Sequence, residues 1–364
     1  MTVPPSDPSR MYEPLYEVTR GEIVESVHFG AVAVVNTAGE LIASCGLAES
    51  VVYLRSTAKP FQVLPLIEAG GVEHFRFTLA EVALMCASHS GTDAHAATAA
   101  SIQSKANVGE LDLMCGVHPP MDEATARRLQ EAGQQPLPNR HNCSGKHSGM
   151  LALAQLKGWP VEQYIDPIHP VQQEILQAVA EMCDYPMEEI ELGIDGCSAP
   201  NFALPLQAAA RGLARLCDPA DLPEPRARAC RTIVQAMSSH PEMVAGPGRF
   251  DTRLMQVAAG RLIAKGGAEG YYGIGLLPDA LGSGSPALGV TIKIADGDPQ
   301  GRARAGVVLD VLRQLGALDA QLLAELSEFG PQKTLYNWRK LTVGEGRPVC
   351  ELQFHQTLET SPVL

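Results

Sequence analysis

The spacing of apolar residues changes twice along the chain. Between residues 21 and 46 they come in short β-branched runs. Gly21-Glu22-Ile23-Val24-Glu25-Ser26-Val27-His28-Phe29-Gly30 leads into Ala31-Val32-Ala33-Val34-Val35-Asn36. Thr37-Ala38-Gly39-Glu40 then interrupts, and Leu41-Ile42-Ala43-Ser44-Cys45-Gly46 follows. Such runs around a Gly-containing turn predict a β-hairpin. From residue 79 the pattern becomes helical. Helices are expected over residues 79–86, 94–104, 123–132, 150–156, 171–183, 202–217, 224–239 and 252–265. Strands return over 270–277 and 287–294, and a helix is expected over 303–315.

Strands at both ends with helices between them predict an α+β fold, an α/β sandwich. Its central, mainly antiparallel sheet is drawn from both termini, and the middle of the chain forms a helical lobe. Residues 1–16 read as a disordered tail. Residues 17–355 read as a single catalytic domain, with a sheet lobe at about 17–78 and 266–355 and a helical lobe at about 79–265. No Gly-rich dinucleotide turn is present. Gly282-Ser283-Gly284-Ser285 precedes a strand, which is the wrong context.

Composition narrows the partners. The 364 residues are 45% hydrophobic, and 41 acidic against 28 basic residues give a net charge of −13. That balance argues against nucleic acid or an anionic membrane as the main partner, since both need clustered Lys and Arg. No apolar run approaches the ~20 residues of a spanning helix. The N-terminus lacks the basic and apolar regions of a signal peptide. A cytoplasmic protein is expected, with its nine Cys residues mostly buried thiols.

Three kinds of candidate chemistry remain. Arg55-Ser56-Thr57-Ala58-Lys59-Pro60 contains Ser-x-x-Lys. If the segment opens a helix, Ser56 and Lys59 share a face and the amine can take the hydroxyl proton. Pro60 then requires Lys59 to lie in or before the first turn. The same spacing also fits a helix-capping Ser with an exposed Lys. Cys86-Ala87-Ser88-His89-Ser90-Gly91 gathers hydroxyls after a helical pattern, and Lys265-Gly266-Gly267 puts a Lys at an expected helix end. Capping explains either of these equally. Finally, Cys143 and Cys197 each sit in a Gly/Ser loop, His141-Asn142-Cys143-Ser144-Gly145-Lys146-His147 and Asp195-Gly196-Cys197-Ser198. Two thiolates and a nitrogen suit zinc, with His147 or His141 the natural third ligand. A catalytic thiol and an inert pair are the alternatives. Arg55 is a candidate for a substrate carboxylate, or for a structural ion pair.

Six blocks in chain order carry a resemblance: Arg20-Gly21 with Val24-Glu25-Ser26-x-His28; Arg55-Ser56-x-x-Lys59-Pro60-x-Gln62; Ala87-Ser88-His89-Ser90-Gly91; Asn142-Cys143-Ser144-Gly145-Lys146-His147; Asp195-Gly196-Cys197-x-x-Pro200; and Lys265-x-Gly267-Ala268-Glu269-Gly270. Over roughly residues 17–355 the chain resembles the Rhizobium etli-type (class 3) L-asparaginases, which have a serine β-lactamase/glutaminase-like fold. The resemblance implies hydrolysis of L-asparagine to L-aspartate and ammonia, with Ser56 as nucleophile and Lys59 as its partner. It also implies a second pair, Ser88 with Lys265, and a homodimer. It implies one zinc ion on Cys143, Lys146 and Cys197, with Asp195 close by, and so replaces the expected His with a Lys. A Lys ligand must lose its proton, so binding should weaken as pH falls. A glutaminase or β-lactamase-like hydrolase on the same scaffold, a cysteine-nucleophile amidase and a non-catalytic zinc protein are the rivals. The β-lactamase reading lacks Ser-Asp-Asn, and has Lys-Gly-Gly for Lys-Thr-Gly.

Overall fold

A computed structural model describes residues 11–355. The chain divides into two compact units. One comprises the chain up to Val52, Leu204–Asp218 and the chain from Val257 onward; the other comprises Tyr53–Ala203 and Pro219–Gln256.

The first unit is built on a sheet of nine strands: β1 (Glu13–Arg20), β2 (Ile23–Asn36), β3 (Leu41–Cys45), β4 (Leu262–Gly266), β5 (Tyr271–Leu276), β6 (Leu288–Ile294), β7 (Lys333–Tyr336), β8 (Thr342–Pro348) and β9 (Gln353–Phe354). The order is β7-β8-β1-β2-β6-β5-β4, with β3 pairing β2 and β9. The β1–β2, β2–β6, β2–β3, β5–β6 and β1–β8 ladders are antiparallel. The sheet is drawn from both ends of the chain, as the pattern predicts. In β2, Ala31–Val35 are all buried, because small and β-branched side chains fill both faces. Helix Leu206–Cys217 packs across β2, β5 and β6 with Ala209, Ala210, Leu213 and Ala214 inward. Its backbone comes so close to β6 that a Cβ on Gly289 would lie 2.6 Å from Ala210 C. Only glycine permits that approach.

The second unit is helical. Its main elements are α1 (Lys59–Glu68), α2 (Leu79–Met85), α3 (Asp93–Lys105), α4 (Ser144–Lys157), α5 (Pro170–Cys183) and α6 (Glu224–Ser239). Helix α1 packs against α4, α5 and α6, and α4 also against α2 and α3. Helix α4 is consequently buried at every residue from Ser144 to Ala154. An antiparallel hairpin, Glu191–Ile194 with Pro200–Pro205, completes the unit.

Several expected elements differ. Residues 13–16 are strand, not tail; the expectation for 1–10 lies outside the described residues. The expected helix over 202–217 is a strand to Pro205 and a helix from Leu206, because Pro205 is extended at φ −58°, ψ 142°. The expected helix over 252–265 ends at Ala258, because Ala259 and Gly260 are left-handed at φ 48° and 84°. Lys265 therefore lies on β4, not at a helix end. Helix α4 begins at Ser144 rather than at 150, so Lys146 and His147 ride on its first turns. The two compact units are bounded differently from the expected lobes. Residues 53–78 belong with the helices, because α1 packs on α4, α5 and α6; residues 204–218 and 257–265 belong with the sheet. Among the described residues, no helix is long and apolar enough to cross a membrane.

Candidate active site

The Ser-x-x-Lys segment folds as a 3-10 turn, Arg55–Ala58, running into α1 at Lys59. Pro60 occupies the second position of α1, where its missing N–H costs nothing. Arg55 carries the turn at φ 50°, a left-handed conformation that costs a non-glycine residue about 1–3 kcal/mol. Two contacts hold it there. Its backbone N–H donates to Asn201 Oδ1 at 3.0 Å, and its Nε donates to Asp195 Oδ1 at 2.8 Å. Both partners come from the 191–205 hairpin and its turn, so that hairpin clamps the Ser56 turn.

Lys59 is 1% exposed. Its Nζ donates to Ala87 O at 2.6 Å and is 2.9 Å from Ser88 Oγ. The structure thus joins Lys59 to Ser88. The expected Ser56–Lys59 bond is not among the hydrogen bonds of the described residues. Ser56 is half-buried one turn earlier. Lys265, expected to pair with Ser88, belongs to the sheet unit and donates to Gly266 O at 2.7 Å.

The loop carrying Ser88 is pinned from both sides. Ser88 N–H donates to Val244 O at 2.9 Å, and His89 N–H donates to Asn142 O at 3.2 Å. His89 Nδ1 accepts from Gly91 N–H, so its proton is on Nε2, which donates to Ser144 Oγ at 2.9 Å. Ser144 Oγ in turn donates to Asn139 O. This chain couples the Ser88 loop to the start of α4.

Lys146 and the two cysteines converge there. Lys146 Nζ donates to Cys197 Sγ at 2.9 Å, Cys197 Sγ lies 3.6 Å from Asp195 Oδ2, and Cys143 is hydrogen-bonded to Cys197. The Cys197 bond, helped by Lys59 and Lys146, outweighs burial and holds Cys143 well below the usual thiol range. The same bond, with burial, raises Cys197. Burial works against a charged Lys146, but Cys197 and Cys143 more than reverse it and raise its pKa. Burial likewise opposes ionised Asp195, and Lys146, Arg55 and Lys59 together lower it.

The donor set can be tested against a metal. Among the described residues, no three His, Cys, Asp or Glu side chains are grouped to hold one. The third donor beside Cys143 and Cys197 is a lysine, and two soft sulfurs with one nitrogen fit zinc. Of the two histidines expected from ligand preference, one is ruled out by its proton. His141 Nδ1 accepts from Cys143 N–H at 3.0 Å, so Nε2 bears the hydrogen. His147 Nδ1 is 2.7 Å from the Tyr164 hydroxyl, which already accepts from Met114 N–H. The hydroxyl has a second lone pair and can accept from Nδ1 as well as donate to it, so this contact does not fix the His147 tautomer. Only His141 is excluded as a ligand by its ring proton.

One pH consequence follows. His89 and His95 stack with ring centroids 4.8 Å apart. Burial, reinforced for His89 by its neighbour His95 and by Lys59, lowers both from the ordinary 6.5. The unfolded chain protonates them below that value and the folded chain does not. Their contribution is thus fully present above about pH 6.5 and declines as pH falls below it. Urea midpoints are expected to drop between pH 7.5 and 5.5, and His89→Gln should shrink the drop. Equal midpoints at the two pH values would refute this.

Comparison with known proteins gives first a class, amidohydrolase. The chain belongs to the L-asparaginase II family, whose pattern it matches over residues 16–348. No curated protein matches the chain. Among solved structures it is similar to a Bacillus subtilis glutaminase, YbgJ, in covalent complex with 5-oxo-L-norleucine: 13% identity, TM-score 0.38, covering 80% of this chain and 89% of that one. A second Bacillus subtilis structure, a probable glutaminase, gives 12% identity and TM-score 0.37, over 79% and 88%. Simvastatin synthase (LovD) from Aspergillus terreus gives 15% and 0.34, over 82% and 91%. Likeness this distant assigns no chemistry to this chain.

Proposed function

We propose that this chain is a Rhizobium etli-type L-asparaginase, hydrolysing L-asparagine to L-aspartate and ammonia through a serine ester. The observation that carries the reading is the fully buried Lys59 amine, 2.9 Å from Ser88 Oγ and three residues beyond Ser56 in the chain. Ser56 attacks the side-chain amide carbon. Its proton passes to the Lys59 amine, directly or through Ser88, and then to the departing nitrogen, which leaves as ammonia. Water cleaves the resulting β-aspartyl ester and restores Ser56. Lys265 is the second lysine of this reading. Arg55 is held by Asp195 and is the proposed anchor for the substrate carboxylate.

Cys143, Lys146 and Cys197 would hold zinc, at the cost of the proton that Lys146 now keeps. When bound, the ion would supply a fixed positive charge beside the serines. Cytoplasmic homodimers are the form this kinship suggests.

A second reading is favoured by the same 2.9 Å bond: Ser88 as nucleophile, with Lys59 as its direct base. Quenching turnover with hydroxylamine and locating the trapped acyl group by peptide mass spectrometry decides between them. Under the first reading Ser56→Ala abolishes acylation and Ser88→Ala only slows it; under the second the roles reverse. If both variants release ammonia from asparagine at the parent rate, both readings fail.

A further inference from the structure

Among the polar groups around Lys59, one imidazole is held ready and left without a partner. His141 is 6% exposed and follows the 3-10 turn Pro138–Arg140. Its main chain is fixed at both ends, with N–H donating to Pro138 O and O accepting from Ser144 N–H, each at 2.9 Å. Its Nδ1 accepts from Cys143 N–H. The ring lies 4.4 Å from that of His118. His118 is itself locked, with Nε2 accepting from Asn142 N–H and Nδ1 donating to Pro119 O. The His141 ring thus has one orientation, and its hydrogen is on Nε2.

That N–H has no hydrogen-bond partner among the described residues. Unlike His147 Nε2, it is not among the buried atoms shut off from solvent. It therefore opens onto accessible space, and its neighbours identify that space. His141 interacts electrostatically with Lys59, Lys146 and Cys197. The bond from His89 N–H to Asn142 O ties the two loops together, and Ser88 and His141 each lie one residue from it. A neutral N–H donor in that position, with two lysines nearby, calls for an oxygen acceptor that gains negative charge.

We infer that His141 Nε2–H is a substrate-contacting donor to the amide oxygen, holding it as the serine attacks and the carbonyl becomes an oxyanion. This rests on the amidohydrolase reading above but not on which serine attacks.

The test compares His141→Leu with His141→Gln, whose amide can accept from Cys143 N–H and still donate. An oxyanion donor acts in the transition state, so the loss should fall on kcat. His141→Leu is expected to lower kcat for asparagine about 10²–10³-fold with KM changed by less than about threefold, and His141→Gln should recover at least about tenfold of that. Bound metal and thermal melting of both variants, measured alongside, should match the parent. The inference is overturned if kcat holds in His141→Leu, if the change is confined to KM, or if both variants lose activity equally, with or without metal loss. Failure of the underlying reading looks different: the parent itself would release no ammonia, and the inference would fall with it.

Discussion

Replacing Lys59 with methionine should lower the rate of ammonia release about 10²–10⁴-fold, the usual worth of a positioned proton-transfer group. Methionine keeps the length and apolar stem of the side chain, so the packing of α1 on α4, α5 and α6 survives. What disappears is the Nζ that bonds Ala87 O and Ser88 Oγ and lies against Cys143. Either serine reading loses its base. A lost positive charge should also let the Cys143 thiol rise, since Lys59 is one of the groups holding it down. Steady-state kinetics with asparagine, beside circular dichroism to confirm the fold, makes the measurement. A variant that keeps more than a tenth of the parent kcat would remove Lys59 from the mechanism.

The second large effect is expected from Gly145→Ala, a single methyl group far smaller than any active-site deletion. A Cβ at 145 would run into Leu84 O and lie 2.7 Å from Leu84 C and 2.8 Å from its Cγ. Two of these atoms are main chain near the end of α2, so no side-chain rotation relieves the clash. Helix α4 must back away from α2, and overpacking of this kind costs roughly 1–3 kcal/mol. The move also carries Lys146 and Cys143, one and two residues from the clash, away from Cys197. Lower melting temperature, weaker retention of the proposed zinc on dialysis and turnover reduced by tenfold or more are expected together. An unchanged melting temperature with full metal retention would contradict the account.

These two cases show what a sequence discloses and what it withholds. Helix Glu224–Ser239 matches its expected limits, because helix formers, a first-turn Pro225 and an acidic first turn act locally. The start of strand β1 is hidden in the sequence: residues 13–16 read as tail, and the strand forms because β2 and β8 flank it. Lys265 was misplaced because Leu-Ile-Ala-Lys suits helix and strand alike, and only two left-handed residues before it decide. The site was legible as residue types. Its pairing was not, since Lys59 reaches Ser88 across a loop that is fixed by Val244 and Asn142. Nor was the exclusion of His141 as a ligand, which depends on one backbone N–H.

The order of the sheet also sets a timetable for synthesis. The helical unit ends at Gln256, so all of it is available while the strands that follow it are still being made. Strand β2 waits for β6, and β1 waits for β8, with Tyr16 opposite Pro348. Pairings so distant in sequence close slowly. The N-terminal hairpin consequently emerges first and finishes among the last, and during that interval both its long edges are open to other nascent chains. Yield in a cell will thus depend on chaperone capacity and growth temperature more than the stability of the finished protein suggests.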